Sequence, residues 1–119
     1  MPTKSTIIYK KWDIVLVPFP FTDFSSIKKR PALIISPDSY NNSGDDVLIA
    51  FITSNIPNNL KKGDFLIKNW KTSGLPLPSL LKIKIPTVNK SIIIKTLGVL
   101  SVEDKKEFQK VILNFFKDN

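Results

Sequence analysis

Short apolar runs rich in β-branched residues recur along this chain. Each is closed by a turn signal, and that rhythm limits the fold to a small sheet. DIVLVPF (13–19) reads as a first strand, RPALIIS (30–36) as a second, DVLIAFIT (46–53) as a third and DFLIK (64–68) as a fourth. LLKIKI (80–85) alternates strictly, which turns Lys82 and Lys84 away from Leu81, Ile83 and Ile85. SIIIKTLGVL (91–100) closes the sheet. Between the strands, FPFTDFSSIKK is a long loop, PDSYNNSGD a turn or hairpin loop, and TSGLPLPS a break. Pro31 lies near the start of its strand, where a missing N–H is tolerated.

The last stretch keeps another period. In SVEDKKEFQKVILNFF, Phe108, Val111, Ile112 and Phe115 follow the i, i+3, i+4, i+7 spacing of one helix face. Ser101 suits the N-cap, Glu103 and Asp104 suit the first turn, and Asp104 occupies the capping-box position. A run of strands followed by one helix predicts a mainly β (α+β) fold: a small, strongly bent sheet or β-barrel with a C-terminal helix packed on it. At 119 residues the chain fits a single domain, 1–119.

Composition excludes several chemistries. With no histidine and no cysteine there is no histidine general base, no Ser-His-Asp triad, no disulfide and no His/Cys zinc site. Four glycines in all leave no glycine-rich phosphate cradle. Asp45 and Asp46 sit in a turn beside Gly44 without a ligand set, so no metal and no cofactor are expected. No apolar run approaches the ~20 residues of a membrane span, and the opening residues form no signal-like core. A cytoplasmic protein with no membrane partner is the expectation. The net charge of +8 favours an anionic partner, although a lysine-rich solvated surface accounts for the same number.

Of the 18 basic residues, one alone is arginine: Arg30. It follows Lys28 and Lys29 at the mouth of the second strand. If the second and third strands pair antiparallel with Ser36 near Val47, Arg30 falls opposite Thr53 on the same face, with Ser54 beside them. Directly opposed residues bring their Cβ atoms to ~5 Å. Both strands are apolar on both faces, so the pattern itself leaves the register open. Taken singly, the arginine also reads as a solvated charge and the threonine as a good β-former.

The segments WDIVLVPFPFTD, KKRPALIIS, VLIAFITS and GLPLPSLLKIKIPTVNKSIIIKTLGVLSVED, in that order, resemble the MazF/PemK toxins of bacterial toxin–antitoxin modules over roughly residues 11 to 116. The resemblance implies a homodimeric, SH3-like barrel that cuts single-stranded RNA without metal, arrests growth, and is silenced by an acidic cognate antitoxin. It places Arg30 and Thr53 at the catalytic positions. Trp12 stands where the family usually has the Gly of a Gly-Asp pair, and the first loop is of the PemK-like kind.

Cleavage by the RNA's own 2′-OH then asks for charge on the phosphorane to be stabilised. A planar guanidinium grips two phosphate oxygens at once and an ammonium does not, which gives a reason for one arginine among lysines. Thr53 would hydrogen-bond a phosphate oxygen or orient the 2′-OH. Lys28, Lys29, Ser54, Lys82 and Lys84 are candidate RNA contacts. Asp23 is a candidate base. Phe19, Phe21 and Phe24 offer faces for unpaired bases, or serve as loop anchors or dimer contacts. Two other functions suit the same fold: a non-enzymatic gyrase poison like CcdB, and an RNA-binding barrel without activity.

Overall fold

The computed structural model describes residues 7–19 and 28–117. Three strands form its centre: β1 (Asp13–Pro18), β2 (Lys29–Ile34) and β3 (Asp46–Thr53), each antiparallel to the next. A short helix, α1 (Asp38–Asn41), fills the β2–β3 connection that reads as a plain turn in sequence. On the far side of β3 lie two short strands, β5 (Leu80–Leu81) and β6 (Thr87–Asn89), and β4 (Phe65–Leu66) pairs with β5. β7 (Lys95–Val99) pairs with the free side of β1, and α2 (Val102–Lys117) follows it.

The strand order is β4-β5-β3-β2-β1-β7, with β6 also on β3. This sheet is not closed, so the expected barrel is open between β4 and β7. The reason is visible at the gap. β4 has two residues and no further strand to pair with, and the 69–75 turn presses on β7 by backbone contact instead. A Cβ on Gly98 would fall on the Ser73 carbonyl, and one on Gly74, at φ +89°, on the Leu97 carbonyl. Only glycine admits that approach.

Both faces of the central strands are covered, which is why they read as unbroken apolar runs. On one face Ile14, Leu33, Ala50, Ile52 and Leu81 pack with Phe108 of α2. On the other, Val15, Val17, Ala32, Ile34, Val47 and Ile49 pack with Tyr9, Val88 and Ile93. The helix is set by its cap. Ser101 Oγ accepts the Asp104 N–H at 3.1 Å, as the capping position predicts. The Asp104 carboxylate, 1% exposed, turns away from the usual capping-box bond. It accepts the backbone N–H groups of Lys68 at 3.0 Å and Asn69 at 2.8 Å, tying the helix start to the turn beneath it.

The β2–β3 register pairs Ala32 with Phe51, Leu33 with Ala50 and Ile34 with Ile49. A buried polar cluster pins it. Ser36 Oγ accepts the Leu48 N–H at 3.0 Å and donates to Asn41 Oδ1, while Asn41 Nδ2 donates to the Ser36 carbonyl at 3.0 Å. A one-residue slip would take the Leu48 N–H away from the hydroxyl that Asn41 holds in place.

Two expected strands are shorter than their sequence suggests. The 64–68 strand is cut to Phe65–Leu66, and the 91–100 strand begins only at Lys95 after a 3₁₀ turn at Lys90–Ile92. The 80–85 strand breaks after Leu81. Ile52 pairs with Leu81, so an unbroken register would bring Ile85 to Leu48; Thr87 is there instead. The two extra residues form a bulge opposite Phe51, whose carbonyl accepts the Lys82 N–H and whose N–H donates to the Lys84 carbonyl. The ladder breaks, yet the alternation holds at these positions: Lys82 and Lys84 lie on the Phe51 side, and Leu81 and Ile83 pack into the helix-side core.

Asn41→Ala leaves the Ser36 hydroxyl proton without its acceptor and the Ser36 carbonyl without the Asn41 donor, and unfolding in denaturant should show a loss of about 3 kcal/mol. Asn42→Ala, one residue on and exposed, should stay within about 0.5 kcal/mol of the parent.

Candidate functional site

A cleft of ≈ 260 Å³ opens where β2 and β3 part. Its cause lies in Pro31. Ile35 donates its N–H to Leu48, and antiparallel bonds fall on alternate residues, so the next two fall to Leu33 and Pro31. Pro31 has no N–H to give. Beyond Ala32 and Phe51 no β2–β3 pairing continues: Arg30 keeps its pairing with Val17 of β1, and Thr53 keeps its pairing with Leu80 of β5. Carried two residues further, the same register sets Arg30 opposite Thr53, and both line the cleft.

The floor is apolar, built from Val17, Ala32, Phe51 and Ile52. Phe19 stands edge-to-face on Phe51, ring centroids 5.3 Å apart. The Arg30 guanidinium lies 6.0 Å from the Phe19 ring, and the Lys84 ammonium lies 5.9 Å from the Phe51 ring. Two cations thus flank an aromatic pair at the cleft. Among the described residues no carboxylate is paired with Arg30. Thr53 Oγ1 accepts the Asn55 N–H at 3.1 Å. That bond occupies a lone pair and leaves the hydroxyl proton to donate.

Lys82 lines the cleft wall on the face opposite Leu81, and pairs with Asp64 at 3.5 Å. Lys84 reaches the same region through the Phe51 ring. Lys28 and Ser54 are exposed and outside the lining residues, and Lys29 is paired with Pro18 in the strand, also outside them. Phe21, Asp23 and Phe24 lie outside the described residues. Asn55 and Asp64 are the residues that reading the sequence missed. Asn55 follows a strand end in an ordinary loop, and Asp64 lies in a stretch legible only as a strand start. Trp12 and Trp70 pack against the helix-side core, as packing residues would.

Chemically, the cleft offers one guanidinium, two ammonium groups and a hydroxyl donor around an apolar floor. That set holds an anion with a flat or apolar neighbour, such as a phosphate bearing a base.

The chain matches, over residues 10–116, the family described as PemK-like, MazF-like toxin of type II toxin-antitoxin system. No curated protein matches its sequence. Solved structures share the fold at low identity. One is a MazE–MazF structure from Deinococcus radiodurans, 16% identical, with a TM-score of 0.74 over 95% of this chain and 100% of that one. A mycobacterial endoribonuclease in complex with its cognate antitoxin is 13% identical, with a TM-score of 0.73 over 93% and 97%. The Mycobacterium tuberculosis toxin MazF-mt6 is 18% identical, with a TM-score of 0.71 over 90% and 98%.

Thr53→Val keeps the side-chain shape and removes one hydrogen bond at the cleft rim. Thermal or urea unfolding should show a loss of no more than about 1 kcal/mol. A larger loss would make the hydroxyl a structural element of the strand end.

Proposed function

The chain belongs to the PemK-like, MazF-like toxins of type II toxin–antitoxin systems, and on that premise we propose that it is a metal-independent endoribonuclease acting on single-stranded RNA. The single observation that supports this reading most is that the only arginine and Thr53 line one open cleft.

In the proposed reaction the 2′-oxygen bonds to phosphorus as its proton leaves. The bond from phosphorus to the 5′-oxygen breaks, and that oxygen gains a proton. The products are a 2′,3′-cyclic phosphate and a 5′-hydroxyl. Arg30 grips two non-bridging oxygens and stabilises the charge that builds on the phosphorane. Thr53, its lone pair taken by Asn55, donates to a phosphate oxygen. Lys82 and Lys84 hold the neighbouring phosphates, with Lys28, Lys29 and Ser54 at the approach. Arginine stays protonated at neutral pH, so the base is another group. Phe21 and Asp23 remain candidates for base contact and proton removal. The active unit is a homodimer in the cytoplasm, and an acidic cognate antitoxin answers the +8 charge. Two of the structures that share the fold are themselves complexes with an antitoxin or of MazE with MazF.

The test is incubation with a single-stranded RNA in EDTA. Discrete fragments ending in 2′,3′-cyclic phosphate are expected. Arg30→Ala should slow cleavage by ~10²–10³-fold, and Arg30→Lys should not restore it, since an ammonium cannot make the two-pronged contact. Intact RNA beside inhibited DNA supercoiling would point instead to a gyrase poison.

RNA affinity should also fall with salt. For about four phosphate contacts on a single strand, log K against log salt should slope near −3, measured by fluorescence anisotropy. A flat response would remove nucleic acid as the main partner.

A further inference from the structure

Three ion pairs are formed among the described residues, and two of them join exposed side chains on the surface. The third is Asp64–Lys82. It differs in two ways: the Asp64 side chain is only 6% exposed, and its partner lines the cleft. A buried carboxylate beside an anion-binding cleft weakens the attraction the cleft depends on. It has to be explained by something it does for its partner.

The local geometry supplies that explanation. Asp64 closes a turn on itself: its N–H donates to the Lys61 carbonyl at 3.0 Å, and its Oδ2 accepts the Lys61 N–H at 2.9 Å. The turn fixes the carboxylate. The other oxygen, Oδ1, is left to hold the Lys82 ammonium at 3.5 Å. Lys82 stands where the β3–β5 ladder ends, its N–H on the Phe51 carbonyl, so the backbone sets the face its side chain takes but not where the ammonium comes to rest. A lysine carries the most rotatable stem of any residue, and its head would otherwise sample many positions. Asp64 does not line the cleft, so it acts through Lys82 and not on a ligand.

We propose that Asp64 is a positioning residue that holds the Lys82 ammonium at the cleft wall for an RNA phosphate. This rests on the reading of the cleft as an RNA site. The ammonium has three donors, so it can keep Asp64 behind it and take a phosphate oxygen in front.

A double-mutant cycle on the full chain tests it. Asp64→Asn keeps an oxygen for the Lys61 N–H and loses the charge that holds Lys82. Single-turnover cleavage should slow by about tenfold while Tm changes little. In a Lys82→Met background the same change should cost less than about twofold. An equal cost in both backgrounds would make Asp64 a structural residue of the 61–64 turn, and no cost in the parent would remove the role altogether. Asp64→Glu should recover part of the lost rate if the charge is what matters.

A second measurement needs no RNA. Labelling of Lys82 by an amine-acylating reagent, read by mass spectrometry, should speed up several-fold in Asp64→Asn, because the amine is no longer held against the carboxylate and is free to reach the reagent. Cleavage by the parent with a label that ignores Asp64→Asn overturns the pairing alone. A label that responds, in a chain that neither binds nor cuts RNA, sinks the nuclease reading and reduces the pair to a structural tie.

Discussion

The register between β2 and β3 carries the rest of the molecule. Ser36, Asn41 and the Leu48 amide form a buried polar cluster at one end of that ladder. Pro31, without an N–H, ends it at the other. One end is locked and the other is forced open. A buried hydroxyl and amide cost free energy when unpartnered, so the locked end tolerates no slip. The open end becomes the cleft, and the lock five residues away decides which side chains face each other across it. Arg30 and Thr53 share the cleft because Ser36 meets Leu48.

The opposite wall follows a different rule. There β3 is bordered by two short strands that differ in register by two residues, and the bulge between them lies opposite Phe51. Lys82, bonded in register to the Phe51 carbonyl, and Lys84 across the break keep the face that alternation gives them, one at the cleft wall and one over the Phe51 ring. The positive side of the cleft is thus the polar face of LLKIKI, carried past the point where its ladder breaks. Asp64 then restrains one of those lysines.

The fold is shared with proteins of very low identity, so few side chains need be common for it to persist. Trp12 illustrates the latitude. It takes φ of +80°, a region that favours glycine. Its ring packs against the helix-side core and under the Lys11 ammonium at 4.9 Å, and those contacts offset the backbone cost.

Much of this was legible in the residues alone. β-branched runs between turn signals gave the central strands, because a buried sheet needs little else to be recognised. The helix and its Ser101 cap followed from spacing and from the chemistry of an open helix end. A lone arginine among lysines singled out the residue that lines the cleft. Tertiary structure decided the remainder. LLKIKI alternates as a strand should, yet only Leu80 and Leu81 pair, because where a strand breaks depends on the partner it lies against. The sheet stays open since the approach of Ser73–Gly74 to Leu97–Gly98 is a packing event between distant segments. Pattern along a chain reports which faces are buried; it cannot report which neighbour buries them, and the Asp64–Lys82 contact, like the cleft that Arg30 and Thr53 share, exists only once that neighbour is chosen.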